Sequence, residues 1–389
     1  MRFIFHNPHD SLWYKSPFTL NFKKNRIQKY VHLLDYFLER NKRVYVFIDR
    51  EKVTPRSGFS RFLPALTGFY VWAIYNNINP CKFKIITDAK KLKDDDVIFM
   101  FVYGNFTNQN GEITETRKNL NTQIGQSKAF KIVHLTHYMY HADIASINCN
   151  KSNIDLFVAE NNLYKNSAFF RTTFDWYKKD AYVLPFVPKD KYKRFKPFKE
   201  RVNKVIATGT ITFPMDDNTF VSFFKQSKLQ PMRNEIYQNS ENLNIYLDSI
   251  ISPINEGGVS YPKQQQYFNY NIVELYNNYK MFVVPEEISG LPGIGFVEGM
   301  NCGSAFIGLN DPMYTDIGLI DKVNFIGYDG TLTDLKFKIG YYQIHQNELE
   351  KIAENGYKLV KEKFNKIKVT EDFLNYISEI TKINTTRLI

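Results

Sequence analysis

The chain has 389 residues, 43% of them hydrophobic and 16% aromatic, and a formal net charge of +11. That length suits about two to three domains with a sizeable core, while no apolar run reaches the roughly 18 residues of a membrane-spanning helix and residues 1–10 lack the apolar stretch of a secretory leader. Cys81, Cys149 and Cys302 are far apart with no CxxC pair, which supports neither a disulfide framework nor a zinc site and fits a reducing cytoplasm.

Taken in chain order, "RFIFH" (2–6) reads as a buried strand, and 26–39 as a helix with Ile27, Tyr30, Leu34 and Phe37 on one face. Further strands are expected at 43–48, 82–87, 96–102, 131–135 and 154–159, with helical stretches between several of them. That alternation predicts a parallel α/β sheet. "YVLPFVP" (182–188) then runs into the Lys-, Pro- and Phe-rich segment 189–201, which suits a linker. A second series of strands follows at 203–209, 244–251, 280–285, 304–309 and 323–328, and helices dominate from 334 to 381. The reading is two Rossmann-like halves: 1–188, a linker at 189–201, 202–370, and a C-terminal helix in 371–389 that can return to the first half.

Charge is unevenly shared. Residues 1–200 hold 33 Lys and Arg against 18 Asp and Glu, and residues 201–389 hold 18 against 22, so the first half carries +15 and the second −4. A basic half suits an anionic surface or acceptor such as a lipid leaflet or phosphorylated glycan, or else is a solvated surface of a Lys- and Asn-rich composition.

Chemistry concentrates in "EEISGLPGIGFVEGMNCGSAFIG" (286–308). The run 280–285 is a strand, the Gly/Pro cluster breaks it, 294–302 has helical spacing with Gly303 as its stop, and 304–309 is the next strand. Backbone N–H groups at such a helix start attract anions; the alternative is a tight connection and nothing more. In the first half, "KIVHLTHYMYHADIAS" (131–146) places His137 just past a strand, where ligands of α/β sheets bind. His134 falls within that strand as a core residue, and His141 at a helix start. The three histidines lack Cys or carboxylate partners at zinc-ligand spacing, and "KDDDVIF" (93–99) reads as a solvated strand start rather than an Asp-x-Asp metal site.

The succession "KMFVVPEEISGLPGIGFVEGMNCGSAFIGLNDP" resembles the sugar-nucleotide signature of GT-B glycosyltransferases of the family 4 type. "EGMNCG" (298–303) matches its closing motif, "YVLPFVPKDKYKRFKPF" (182–198) is similar to its interdomain segment, and "ELEKIAENGYKLVKEKF" (348–364) to its late helix. The resemblance spans about residues 180–370 and is architectural before that. It implies a GT-B fold, two Rossmann-like domains facing each other across a cleft, and a retaining, metal-independent transferase with no cofactor. Such an enzyme would move a sugar from a nucleotide-activated donor to a glycan or lipid-linked acceptor in bacterial lipopolysaccharide or capsule synthesis. The expected location is cytoplasmic, with peripheral attachment to an anionic inner leaflet as an option, for which the aromatic-rich 61–75 is a candidate.

For the donor, the resemblance points to Gly209 and Thr210 after the first strand of the second half, to Ser289, Gly290, Leu291, Pro292, Gly293 and Ile294 in the turn, and to Glu298 on ribose hydroxyls. It also implies that a histidine, here His137, contacts the donor sugar. His6 and Asn7 would line the acceptor side. Two departures stand out. The family's first glutamate, eight residues before Glu298, is replaced by Gly290, so it is either lost or shifted to Glu286 or Glu287. The Arg and Lys usual after the first strand of the second domain are missing from 207–217, leaving Arg233 and Lys263 as substitutes. An inactive nucleotide-binding GT-B module and a basic nucleic-acid-binding protein remain as alternatives; the latter lacks any binding motif, and no nucleic-acid partner is expected.

Overall fold

The structure is a computed structural model that describes residues 2–6, 31–40, 42–48, 70, 73–74, 78–108, 110–211, 215, 217–253 and 270–382. It divides into two units, Met1–Ala159 with Phe170–Tyr182 and Thr370–Ile389, and Glu160–Phe169 with Val183–Val369. Asn7, Lys263, residues 26–30 of the first expected helix and most of 61–75 lie outside the described residues.

The first unit is built on strands β1 (Arg2–His6), β2 (Val44–Phe47), β3 (Phe83–Ile86), β4 (Asp96–Phe101), β5 (Phe130–His134), β6 (Leu156–Ala159) and β7 (Tyr182–Val183). Their order is β3-β2-β1-β4-β5-β6-β7, with β3 through β6 paired in parallel. Every residue of β4 is buried, as a central parallel strand covered on both faces requires. The helix Lys366–Thr381 carries Phe373 onto this sheet, its ring 6.3 Å from Phe3, 6.1 Å from Phe99 and 5.1 Å from Tyr182. Its Glu371 accepts from Tyr36 Oη at 3.0 Å and pairs with Arg40 at 2.9 Å.

The second unit holds β8 (Val202–Ala207), β10 (Leu247–Ser249), β12 (Tyr279–Val283), β13 (Ala305–Leu309) and β14 (Ile326–Tyr328), parallel in the order β10-β8-β12-β13-β14. A short pair, β9 (Thr210–Ile211) with β11 (Ser252–Pro253), follows β8 and β10. The strand period sorts its core. Val205, Ala207, Met281, Val283, Ala305 and Ile307 share one aliphatic cluster with Ile236, Leu335 and Ile352, while Phe282 and Phe306 stack on the other face at 5.3 Å. Residues 189–201 belong to this unit: Phe198 is buried in its core, and Arg201 donates to the carbonyls of Lys196, Tyr276 and Cys302.

Two expectations need correction. The strand expected over 244–251 shrinks to Leu247–Ser249 because residues 240–243 coil and Tyr246 N–H turns back to Leu243 O. The three carboxylates at 94–96 are not all solvated. Asp96 is fully buried, receiving Arg2 Nε at 2.6 Å, Arg2 Nη2, and Lys93 N–H at 2.6 Å, which ties β1 to the start of β4. Removing one partner of a buried pair costs about 3–5 kcal/mol, whereas an exposed pair is worth at most about 1 kcal/mol. Arg2→Met is therefore expected to lower the unfolding free energy by about 3 kcal/mol in urea titration. Lys128→Met, which breaks the exposed Lys128–Asp94 pair, is expected to change it by less than about 1 kcal/mol.

Candidate functional site

In an open parallel sheet, ligands bind beyond the carboxyl ends of the strands where the strand order reverses. In the second unit that point lies between β8 and β12, since β10 flanks β8 on one side and β13 flanks β12 on the other. The chain leaves β8 through Thr208-Gly209-Thr210, and leaves β12 through Val284-Pro285-Glu286.

Arg233, on the helix Pro231–Gln238, reaches into this point. Its Nε donates to Pro285 O at 2.7 Å and its Nη1 to Thr210 O at 2.8 Å, so one planar group joins both strand exits. Gly209, at φ +137°, makes room: a Cβ there would stand 2.8 Å from Arg233 Nε. A Cβ on Gly293 would stand 3.5 Å from Arg233 Nη2 and 3.1 Å from Val284 Cγ1. The structure thus brings Arg233, Gly209, Thr210 and Gly293 together, and Arg233 Nη2 has no hydrogen-bond partner among the described residues.

The turn itself is compact. Gly290 N–H returns to Glu287 O at 3.0 Å and Glu287 N–H to Leu291 O at 3.4 Å. Leu291 and Ser289 are buried. The Gly290 carbonyl accepts from Asn161 Nδ2 at 3.1 Å, and Ser289 O from Ser167 Oγ at 3.5 Å. Both donors come from the 160–169 segment that joins this unit. Ile294 precedes the helix Gly295–Asn301, which has no side-chain cap. That helix lies so close on β12 that a Cβ on Gly299 would meet the Phe282 ring at 2.3 Å. Gly299 therefore serves packing rather than a ligand. Gly303, at φ +77°, stands just past the helix end.

The two glutamates differ from the sequence expectation. Glu286 turns inward, its Oε1 accepting Leu309 N–H at 3.1 Å, and burial raises its pKa. It therefore does not present a carboxylate outward as a displaced first glutamate would. Glu298 is only 5% exposed, rather than an open carboxylate with no packing to lose. Its Oε1 lies 3.9 Å from Lys189 Nζ and has no hydrogen-bond partner. Burial pushes its carboxyl up to about 7, against the pull of Lys189. Lys189 was missed in the sequence; its only signal was its place directly after Pro188 in the 182–198 segment.

In the first unit, His6 ends β1 fully buried, its ring 5.2 Å from Phe47. Neither ring nitrogen has a partner among the described residues, and burial, then Arg117, hold the imidazole well below its ordinary pKa. His134 is buried within β5, with Nδ1 against Thr136 N and Oγ1. His141 precedes the helix Ala142–Lys151 without capping it by its side chain. His137 is half-buried just past β5. Among the described residues no helix is long and apolar enough to cross a membrane, and no group of three His, Cys, Asp or Glu stands together as metal ligands would.

No family model and no curated protein matches the sequence. Solved structures do match in fold. Anabaena HepE, solved with UDP and glucose, is 13% identical, with 97% of this chain and 99% of that one covered at a TM-score of 0.54. Sucrose-phosphate synthase from Thermosynechococcus elongatus is 11% identical over 99% and 100%, at 0.53. A glycosyltransferase from Rickettsia africae is 10% identical over 98% and 99%, at 0.51. The chain has the GT-B fold, with two Rossmann-like units.

The burial of Glu298 sets a pH dependence. Its folded pKa is above the unfolded value near 4.5, so between those two values the folded state binds more protons and stability falls as pH rises. Wild type is expected to lose up to about 3 kcal/mol from this group between pH 5 and 8. Glu298→Gln should flatten that slope in urea titrations at both pH values; parallel slopes would show that the carboxyl is not desolvated.

Proposed function

We propose that this protein is a glycosyltransferase that binds a nucleoside-diphosphate sugar at the carboxyl ends of β8 and β12. One observation carries the reading: the Arg233 guanidinium, fixed by two strand-end carbonyls, aims Nη2 at the Gly293 turn across two positions that lack a Cβ. As the bond between sugar and diphosphate breaks, negative charge grows on the leaving phosphates. Arg233 and the N–H groups of the turn are placed to neutralise it. Glu298 accepts the ribose hydroxyls in this account, and Lys189 holds its carboxylate in the charged form that accepts them. That HepE was solved with UDP and glucose on the same fold supports the donor class.

The finer reading is a retaining, metal-independent transferase that extends a bacterial surface glycan on a glycan or lipid-linked acceptor. The charge of +15 in residues 1–200 supports peripheral attachment to an anionic leaflet. A second reading, a nucleotide-binding module without transfer activity, is favoured by the inward turn of Glu286 and by Ser289 and Gly290 where the resembling family carries its first glutamate.

Calorimetric titration with UDP, GDP and ADP tests the site. At least one is expected to bind, and Gly293→Val, whose branched side chain would stand between Val284 and Arg233 Nη2, should weaken it by about tenfold or more. Unchanged affinity in that variant would mean that the turn only connects strand to helix.

A further inference from the structure

Outside the donor site, one cluster of rings stands at the carboxyl end of the first sheet. The last β4–β5 pair is Phe101 with His134, and the ladder runs on as Val102 N–H donates to His134 O at 2.8 Å. Just beyond lie Tyr103, His137 and Tyr140. Their ring centroids are mutually 5.7, 5.8 and 5.9 Å apart, so each ring touches both others. None is fully buried; all three are half-exposed, unlike the sealed Phe99, Phe106 and Tyr138 around them.

The frame beneath these rings is rigid. Gly104 N–H donates to Thr107 O at 2.6 Å, Phe106 N–H to Val102 O at 2.8 Å, and Thr107 Oγ1 to Tyr140 O at 2.8 Å, which locks the 102–107 turn to the 136–141 segment. His137 sits in the left-handed region at φ +54° and His141 at +48°. A non-glycine residue persists there only when its surroundings hold it, and such strain gathers at ligand sites. A core packing role would not require this backbone, and glycine would fit it at no strain.

We propose that Tyr103, His137 and Tyr140 form a stacking platform for one pyranose ring of a glycan acceptor. A pyranose offers a face of C–H groups that packs on aromatic rings, and hydroxyl groups at its rim that bond to phenol and imidazole edges. A platform fixed before binding loses little freedom when the sugar arrives. The word acceptor rests on the glycosyltransferase reading; the platform does not, because it is tested with sugar alone.

The test is saturation-transfer difference NMR with the full chain and the methyl β-glycosides of glucose, galactose and N-acetylglucosamine, with UDP, GDP and ADP measured separately. At least one glycoside should receive saturation concentrated on the C–H protons of one ring face. Tyr140→Leu and Tyr103→Leu, which keep apolar volume, should each weaken that glycoside's binding by about tenfold while nucleotide signals persist. His137→Gly should do the same with no fall in melting temperature, since glycine relieves the strained backbone. Nucleotide saturation without any glycoside signal overturns the platform and leaves the donor site standing. Glycoside saturation without any nucleotide signal overturns the donor reading instead. Glycoside binding unchanged in all three variants places the sugar elsewhere and also overturns the platform. Should a variant fail to fold, the wild-type glycoside spectrum still decides.

Discussion

The Arg233 guanidinium is the interaction on which the second unit's carboxyl edge depends. Parallel strands end in carbonyls with no next strand residue to pair with, and a buried carbonyl without a donor costs about 1–3 kcal/mol. Arg233 answers two of them, on Pro285 and Thr210, and so holds the exits of β8 and β12 in register. Because two of its nitrogens are committed, the planar group cannot swing, and the direction of Nη2 follows from the fold. Structure and proposed chemistry are thus the same contact. Gly209 is bound to this arrangement, since any side chain there would strike Nε.

The helix Gly295–Asn301 adds a second constraint. Its close seat on Phe282 demands Gly299, and that seat carries Glu298 into a buried position where its charge is opposed by desolvation and favoured by Lys189. A carboxyl poised near 7 is sensitive to what binds beside it. A ligand that donates hydrogen bonds to the carboxylate favours the charged form, so donor binding and proton release are linked at this residue.

Much of the fold was legible in the sequence because parallel strands covered on both faces leave unbroken apolar runs. "KMFVVP" and "SAFIGL" lie where β12 and β13 are found. "NIYLDSII" misled because its apolar residues continue through a turn that only tertiary packing of Leu243 explains. The Gly-rich turn and Arg233 could be singled out by residue type, yet their meeting could not, since it depends on how the helix Pro231–Gln238 packs. The burial of Glu298 depends on Lys189 and Tyr192 from a distant segment, and helical spacing alone carries no sign of them. The 160–169 segment gave no signal of joining the second unit: its contacts with the turn are single hydrogen bonds from Asn161 and Ser167, two residue types that are mostly surface-exposed.

The central claim is that Arg233 stabilises charge on a departing diphosphate. Its most direct test is hydrolysis of a panel of UDP-, GDP- and ADP-sugars, followed by release of the nucleoside diphosphate, for wild type and Arg233→Lys. Lysine keeps the charge but cannot bond both carbonyls and aim a third donor. The account predicts that wild type hydrolyses at least one donor slowly and that the variant loses about 100-fold in rate while remaining folded by circular dichroism. Equal rates in the two proteins, or no hydrolysis of any donor by wild type in the presence of accepting glycans, would contradict it.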